Sequence, residues 1–342
     1  VEDEDTVKRI PLLPNIENWN LEHRGEELYW NGCNVIHLAQ KYGTPLYVVN
    51  KHLLEESLQG MVDAFRAEDL DAHIFFSFKT NPVPEVLKTI VKLGAGAEVI
   101  SEFEFWLSRK LGLEGSKIIV NGCIKSPELL KQAVESDVAL INVETVSQLS
   151  TLRDITRELG RKVNVGLRIN PALRKRRFDL TSATGSSTSH MGFLPDSSEL
   201  SMALNTLQEE PQLKFRAFHF HIGSGIRSLR PYKEALTKVL KVWEGVLSHG
   251  FTPEILDIGG GFTIPTLKEL NLWEAVRLFG WGKTRLPRLE KGQNDLVRGI
   301  AQLCSQKLQS FSRKHGIPMP EVYVEPGRAL TARSQLLLLT VH

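Results

Sequence analysis

Short runs of β-branched and aromatic residues alternate along the chain with longer stretches whose apolar positions recur at helical spacing. From residue 70 onward this predicts strands at His73–Lys79, Ala97–Ser101, Lys117–Asn121, Ala139–Asn142, Val163–Ile169, Lys214–His221, Ile255–Ile258 and Glu321–Glu325. Between them the pattern predicts helices at Pro84–Leu93, Glu102–Leu111, Pro127–Glu135, Val146–Leu159, Ser198–Gln208, Pro231–Ser248 and Asn294–His315. Repeated strand–helix units of this kind imply an α/β fold, a (β/α)8 TIM-type barrel whose chemistry sits on the loops after the strands' C-terminal ends. A doubly wound open sheet is the competing architecture. Its G-x-G-x-x-G fingerprint is absent, and the glycine run comes late, at the seventh strand.

The segments outside the barrel predict a second β domain. Residues 1–45 contribute a strand or two around "EELYWNG" and a helix around "VIHLAQKYG"; 46–330 form the barrel; 331–342 open a further β element. Two connections are longer than usual, Pro171–Met191 and Phe262–Gln293, and both fall on the functional face. The second carries Trp273 and Trp281, which read either as a small packed subdomain or as substrate contacts.

Composition narrows the classes. With 42% hydrophobic and 24% charged residues the chain can build an ordinary core, and a net charge of +2 points to neither a nucleic acid nor a membrane. The one basic cluster, Arg174 to Arg177, reads as a solvated loop before it reads as an anion site. Cys33, Cys123 and Cys304 lie too far apart to suggest a disulfide framework or a zinc site, so a reducing, cytoplasmic compartment and no metal are expected. The acidic opening "VEDEDTVKRI" lacks the apolar core of a signal peptide, and the longest apolar run, Leu336–Leu339, is too short to cross a bilayer.

The strand ends carry the chemistry. "FFSFKTNP" finishes an apolar strand in Lys79, which is either a solvent-facing cap or an amine placed for an aldehyde cofactor. Glu98 lies on the second strand, Arg168 on the fifth, and His219, His221 and Ser224 at the end of the sixth. The seventh ends in Gly259, Gly260 and Gly261, and the eighth in Glu325, Gly327 and Arg328. A triple glycine alone is more often a tight turn. Beside an arginine on the neighbouring strand, at the usual phosphate position of such barrels, it reads better as a phosphate site. A phosphate site with a lysine, a histidine and a carboxylate suggests pyridoxal phosphate.

Seven collinear stretches, "FKTNP", "GAGAEVIS", "LRINP", "TGSSTSHMGF", "FHFHIGSG", "LDIGGGF" and "VEPGRAL", resemble the alanine racemase-like, fold-type III barrel of the basic amino-acid decarboxylases. The resemblance runs from Thr44 to Ala332 and is strongest to the diaminopimelate decarboxylase branch. It implies that Lys79 is the Schiff-base lysine, that His221 stacks on the cofactor ring and that Glu325 pairs with the ring nitrogen. By the same resemblance Ser224, Gly259 to Gly261, Gly327 and Arg328 hold the phosphate, while Glu98 and Arg168 support the cofactor and its histidine. His219 reads more simply as barrel filling, and Asn121 and Glu144 as lining residues.

The resemblance further implies decarboxylation of meso-diaminopimelate to lysine, in lysine biosynthesis, by a homodimer with shared active sites. An ornithine, lysine or D-amino-acid decarboxylase is the alternative within the fold, and a non-catalytic regulatory homologue the alternative outside catalysis. A racemase would place an arginine where Glu325 stands. The sequence departs from the branch at His190, where a lysine is usual, and at Thr80, where alanine is usual. Relatives also continue past the eighth strand into a β domain of roughly a hundred residues. The expectation is therefore a truncated C-terminal domain, with "QLLLLTV" as its first strand, left without a sheet.

Overall fold

The computed structural model of the protein describes residues 20–173, 185, 186, 189–262 and 293–341. The basic cluster Arg174–Arg177, Trp273 and Trp281 lie outside them, as does most of both long connections.

The described residues divide between two units. The smaller holds residues 20–50 and 335–341. In it β1 (Leu21–Arg24), β2 (Glu27–Trp30) and β3 (Cys33–Asn34) form an antiparallel sheet, followed by α1 (Val35–Tyr42). Asn34 caps α1 by accepting hydrogen bonds from the Ile36 and His37 N–H groups. Then β4 (Leu46–Val49) pairs antiparallel with the chain's last strand, Gln335–Leu338. "QLLLLTV" is therefore not left without a partner, as expected above: Leu336 faces Val48, and Leu338 faces Leu46. One edge of that strand is paired within this unit, to which residues 46–50 also belong.

The larger unit opens with α2 (Lys51–Arg66), a helix the sequence reading did not anticipate. Its buried face, including Leu54, Leu58, Met61 and Phe65, repeats at three- and four-residue intervals. The repeats then run β5 (Ala72–Ser77), α3 (Pro84–Lys92), β6 (Gly96–Val99), α4 (Glu102–Lys110), β7 (Ile118–Val120), α5 (Pro127–Glu135), β8 (Leu140–Val143) and α6 (Val146–Leu159). They continue with β9 (Val163–Arg168), α7 (Ser198–Glu209), β10 (Leu213–His219), α8 (Leu229–Leu247), β11 (Ile255–Asp257), α9 (Gln293–His315), β12 (Glu321–Val324) and α10 (Arg328–Thr331), before β13 (Gln335–Leu338) returns to the smaller unit. All eight expected barrel strands form, and β5 to β12 close in parallel, with β12 bonded back to β5.

Seven of the eight strands end one or two residues short of the expected positions, and two of these ends bear directly on the site. β5 stops at Ser77, so Lys79 stands in a single 3-10 turn, Phe78–Thr80, rather than on the strand. β10 stops at His219, leaving His221 two residues beyond it. Both side chains thus sit on the rim instead of in the ladder.

Alternation along the strands sorts the core into two sets. Outward-facing residues such as Phe76, Leu167, Phe218 and Leu256 pack under the helices. Inward-facing Phe75, Ile119, Leu140, Ala217, Ile255 and Tyr323 touch one another across the barrel and form an apolar floor. Phe76, fully buried on β5, is one of the residues that fix the strand leading to Lys79. Phe76→Ala should lower stability by about 3–5 kcal/mol in urea denaturation; a loss below about 1 kcal/mol would contradict the packing described.

Candidate active site

Two residues further along the same strands, on the same inward face, the side chains change character. Phe75 is followed by Ser77, Ile119 by Asn121, Leu140 by Asn142, Ala217 by His219, Ile255 by Asp257 and Tyr323 by Glu325. Glu98, aligned with Ser77 across the β5–β6 ladder, completes this polar level. All seven are buried. Buried polar groups are expensive unless they satisfy one another, and six of the seven do so in a connected set, His219 alone having neither ring nitrogen hydrogen-bonded.

Glu98 is the hub. Lys79 Nζ donates to its Oε1 and Oε2 at 3.1 and 3.0 Å, Ser77 Oγ donates to Oε2, and Asn121 Nδ2 lies 3.3 Å from Oε1. The same Asn121 amide donates to Glu325 Oε1 at 2.5 Å. Asn142 Nδ2 donates to Asn121 Oδ1 at 2.9 Å and to Asp257 Oδ2 at 3.0 Å. One inward-facing position must stay empty to allow this: a Cβ on Gly166 would come within 2.0 Å of Asn142 Oδ1.

The electrostatics follow from burial and neighbours. Desolvation alone would lower the Lys79 amine, but the carboxylates of Glu98 and Glu325 outweigh it and hold the amine above its usual value. Burial, helped by the Arg168 guanidinium, pushes the His221 imidazole down to about 3. It is therefore neutral at pH 7, and its Nδ1 accepts the Gly260 N–H at 3.1 Å, which places the ring proton on Nε2.

The loops after β10, β11 and β12 converge beside this network. Ile226 N donates to Gly261 O, Glu325 N to Gly259 O, and Ser77 N to Pro326 O. Gly261 has φ +90°, and a Cβ there would meet Gly223 O at 1.9 Å, so the turn admits only glycine. Arg328 Nη2 lies 4.0 Å from the position of a Cβ on Gly225, and Ser224 and Arg328 are both exposed.

Lys79, Glu98 and Glu325 thus share one network, with His221 bound to the glycine turn. Arg168 stands apart in a buried ion pair with Glu144, 2.7 Å long, so Glu144 is more than lining. His219 does fill the barrel, and its Nε2 also comes within 3.7 Å of Glu325 Oε2. The sequence reading passed over Ser77, Asn142 and Asp257. The signal available was a polar residue at an inward position of an otherwise apolar strand, "LINV" and "ILDI" being two examples.

An anchored amine, a buried carboxylate, a neutral imidazole and a close-packed glycine turn fit pyridoxal phosphate. Comparison with known proteins agrees. Residues 52–332 match the family described as pyridoxal-dependent decarboxylase, pyridoxal binding domain. The chain is 34% identical to a diaminopimelate decarboxylase of Aquifex aeolicus, over 94% of its own length and 68% of the relative's. A diaminopimelate decarboxylase of Methanocaldococcus jannaschii is 26% identical over 95% of this chain and 69% of its own. The crystal structure of the M. jannaschii enzyme in complex with L-lysine superposes with a TM-score of 0.78 at 26% identity, covering 93% of this chain and 68% of that one.

Behind the site, Lys125 is buried, with Nζ donating to Gly122 O at 2.6 Å and Gln148 Oε1 at 3.1 Å. Burial lowers its pKa from 10.5 to about 8, against the opposing pull of Glu144. Between these values the unfolded chain binds a proton that the native state does not, so stability rises with pH through the window and levels off above it. Lys125→Met should remove this rise, worth about 3 kcal/mol at most, when denaturant midpoints of the two proteins are compared from pH 7 to 10. Parallel curves would contradict it.

Proposed function

Because the chain belongs to the pyridoxal-dependent decarboxylases, a family of carboxy-lyases, we propose that it removes the α-carboxylate of meso-diaminopimelate to give lysine. The observation that carries the reading is the Lys79–Glu98–Asn121–Glu325 chain of hydrogen bonds, which holds an amine and a second carboxylate in fixed relation. The substrate is carried by the shared name of the relatives, which match nearly the whole chain.

Pyridoxal phosphate, when bound, supplies an aldehyde for an amine and a ring that accepts the electron pair left as a carboxylate departs. The residues of this chain do the rest. Lys79 offers the amine, and Glu98 Oε2, 3.0 Å away, is within reach to take the proton that the amine must shed before it acts as a nucleophile. Glu325, held as an anion because His219 and Lys79 outweigh the effect of its burial, keeps a proton on the ring nitrogen. His221 offers a neutral flat face to the ring, and Arg168, backed by Glu144, helps keep it neutral. Ser224, the N–H groups of Gly261 and Gly327, and Arg328 would supply donors and charge for the phosphate, while Gly259 and Gly260 shape the turn, their own N–H groups being held by Asp257 and His221.

The resemblance also carries a homodimer with shared active sites, and a cytoplasmic location, into this proposal. Among the described residues no helix is long and apolar enough to cross a membrane.

Adding pyridoxal phosphate to the purified chain should produce a visible absorbance band that Lys79→Ala abolishes. Carbon dioxide release from meso-diaminopimelate should exceed that from lysine, ornithine or arginine. A preference for one of those three would overturn the substrate, and a band that persists in Lys79→Ala would overturn the role of the lysine.

A further inference from the structure

We propose that Asp257 is a positioning residue of this site: it keeps a proton that it donates to Glu325, while its other oxygen holds the Gly259 N–H. One side chain then ties the carboxylate assigned to the ring nitrogen to the glycine turn assigned to the phosphate. The inference rests on the function proposed above for those two groups.

The geometry leaves little freedom. Asp257, the last residue of β11, is completely buried. Its Oδ1 accepts the Gly259 N–H at 2.9 Å, and its Oδ2 the Asn142 amide at 3.0 Å. One carboxyl oxygen of Asp257, one of Glu325 and a ring nitrogen of His219 all lie within 4.8 Å of one another. Two carboxylates buried this close together strongly disfavour ionising together, so one retains a proton.

The neighbours decide which. Asp257 is served only by neutral donors, a backbone N–H and an amide. Glu325 receives Asn121 Nδ2 at 2.5 Å, has His219 at 3.7 Å, and feels the charge of Lys79. The negative charge therefore settles on Glu325 and the proton on Asp257. Burial first, and the Glu325 charge second, accordingly hold the Asp257 carboxyl well above the usual carboxylate range. A neutral aspartic acid can donate as well as accept, which a carboxylate cannot, and this lets it bridge Glu325 and Gly259 together.

The direct test is difference infrared spectroscopy of the unliganded wild-type chain against Asp257→Asn at pH 7, in water and in deuterium oxide. The expected result is a carboxylic-acid C=O stretch, sensitive to deuterium, that is present in the wild type and missing from the variant. Its absence overturns the proposal. So does its appearance only after a chelator is added, because the three side chains then hold a cation and Asp257 is ionised. This measurement uses no cofactor, so its failure is distinct from a failure of the wild-type chain to take up pyridoxal phosphate, which would sink the proposed function instead.

A second measurement follows the ring nitrogen and the phosphate by 15N and 31P magnetic resonance with labelled pyridoxal phosphate. Asp257→Asn, which can still donate to Glu325 and accept from Gly259 but gives up the contact with the Asn142 amide, should leave both signals closer to wild type than Asp257→Ala does. Asp257→Ala should shift both, the nitrogen towards its unprotonated form, and weaken cofactor binding about tenfold or more. Unchanged signals in a folded Asp257→Ala overturn the link. If that variant does not fold, the infrared result with Asp257→Asn decides.

Discussion

A carboxylate buried at the centre of a barrel must be given donors from several directions at once, and Glu98 is the group on which the rest of this site depends. Its oxygens accept from Ser77 at the end of β5, Lys79 in the 3-10 turn after it and Asn121 just past β7. An unpaired charge there would be strongly destabilising, so the barrel can close only in the register that brings those donors to Glu98. The same register delivers the Lys79 amine to the rim. Requirements of stability and of chemistry thereby fall on the same atoms.

This arrangement rests on the difference between successive inward-facing levels. The lower level is filled by aromatic and aliphatic side chains and gains its stability from packing. The upper level gives up that gain and relies on hydrogen bonds within a set that no single strand contains. Asn121 and Asn142 are its connectors, because an amide can donate and accept where a carboxylate or a protonated amine can do only one. Gly166 contributes by what it lacks: the space beside it is occupied by the Asn142 carbonyl oxygen.

How much of this was legible in the sequence follows from the range of each signal. The eight strands and most helix limits were, because period-two and helical patterns are local. Lys79 and His221 were recognised as site residues but placed on strands, since the apolar runs "HIFFSF" and "FRAFHFH" continue past the last ladder hydrogen bond. Asp257 was visible in "LDIGGGF" but overshadowed by the glycines that follow it. Its partners Asn142 and Glu325 lie 115 and 68 residues away, and only closure of the barrel brings them together. The β4–β13 pairing was hidden for the same reason, its two strands standing at opposite ends of the chain.

The apolar floor has a consequence for traffic. Among the described residues, Phe75, Ile119, Leu140, Ala217, Ile255 and Tyr323 put apolar side chains beneath the polar level, which disfavours passage of charged species in that direction. A charged amino acid and a charged amine product then meet the site from the rim on which Lys79 and His221 stand.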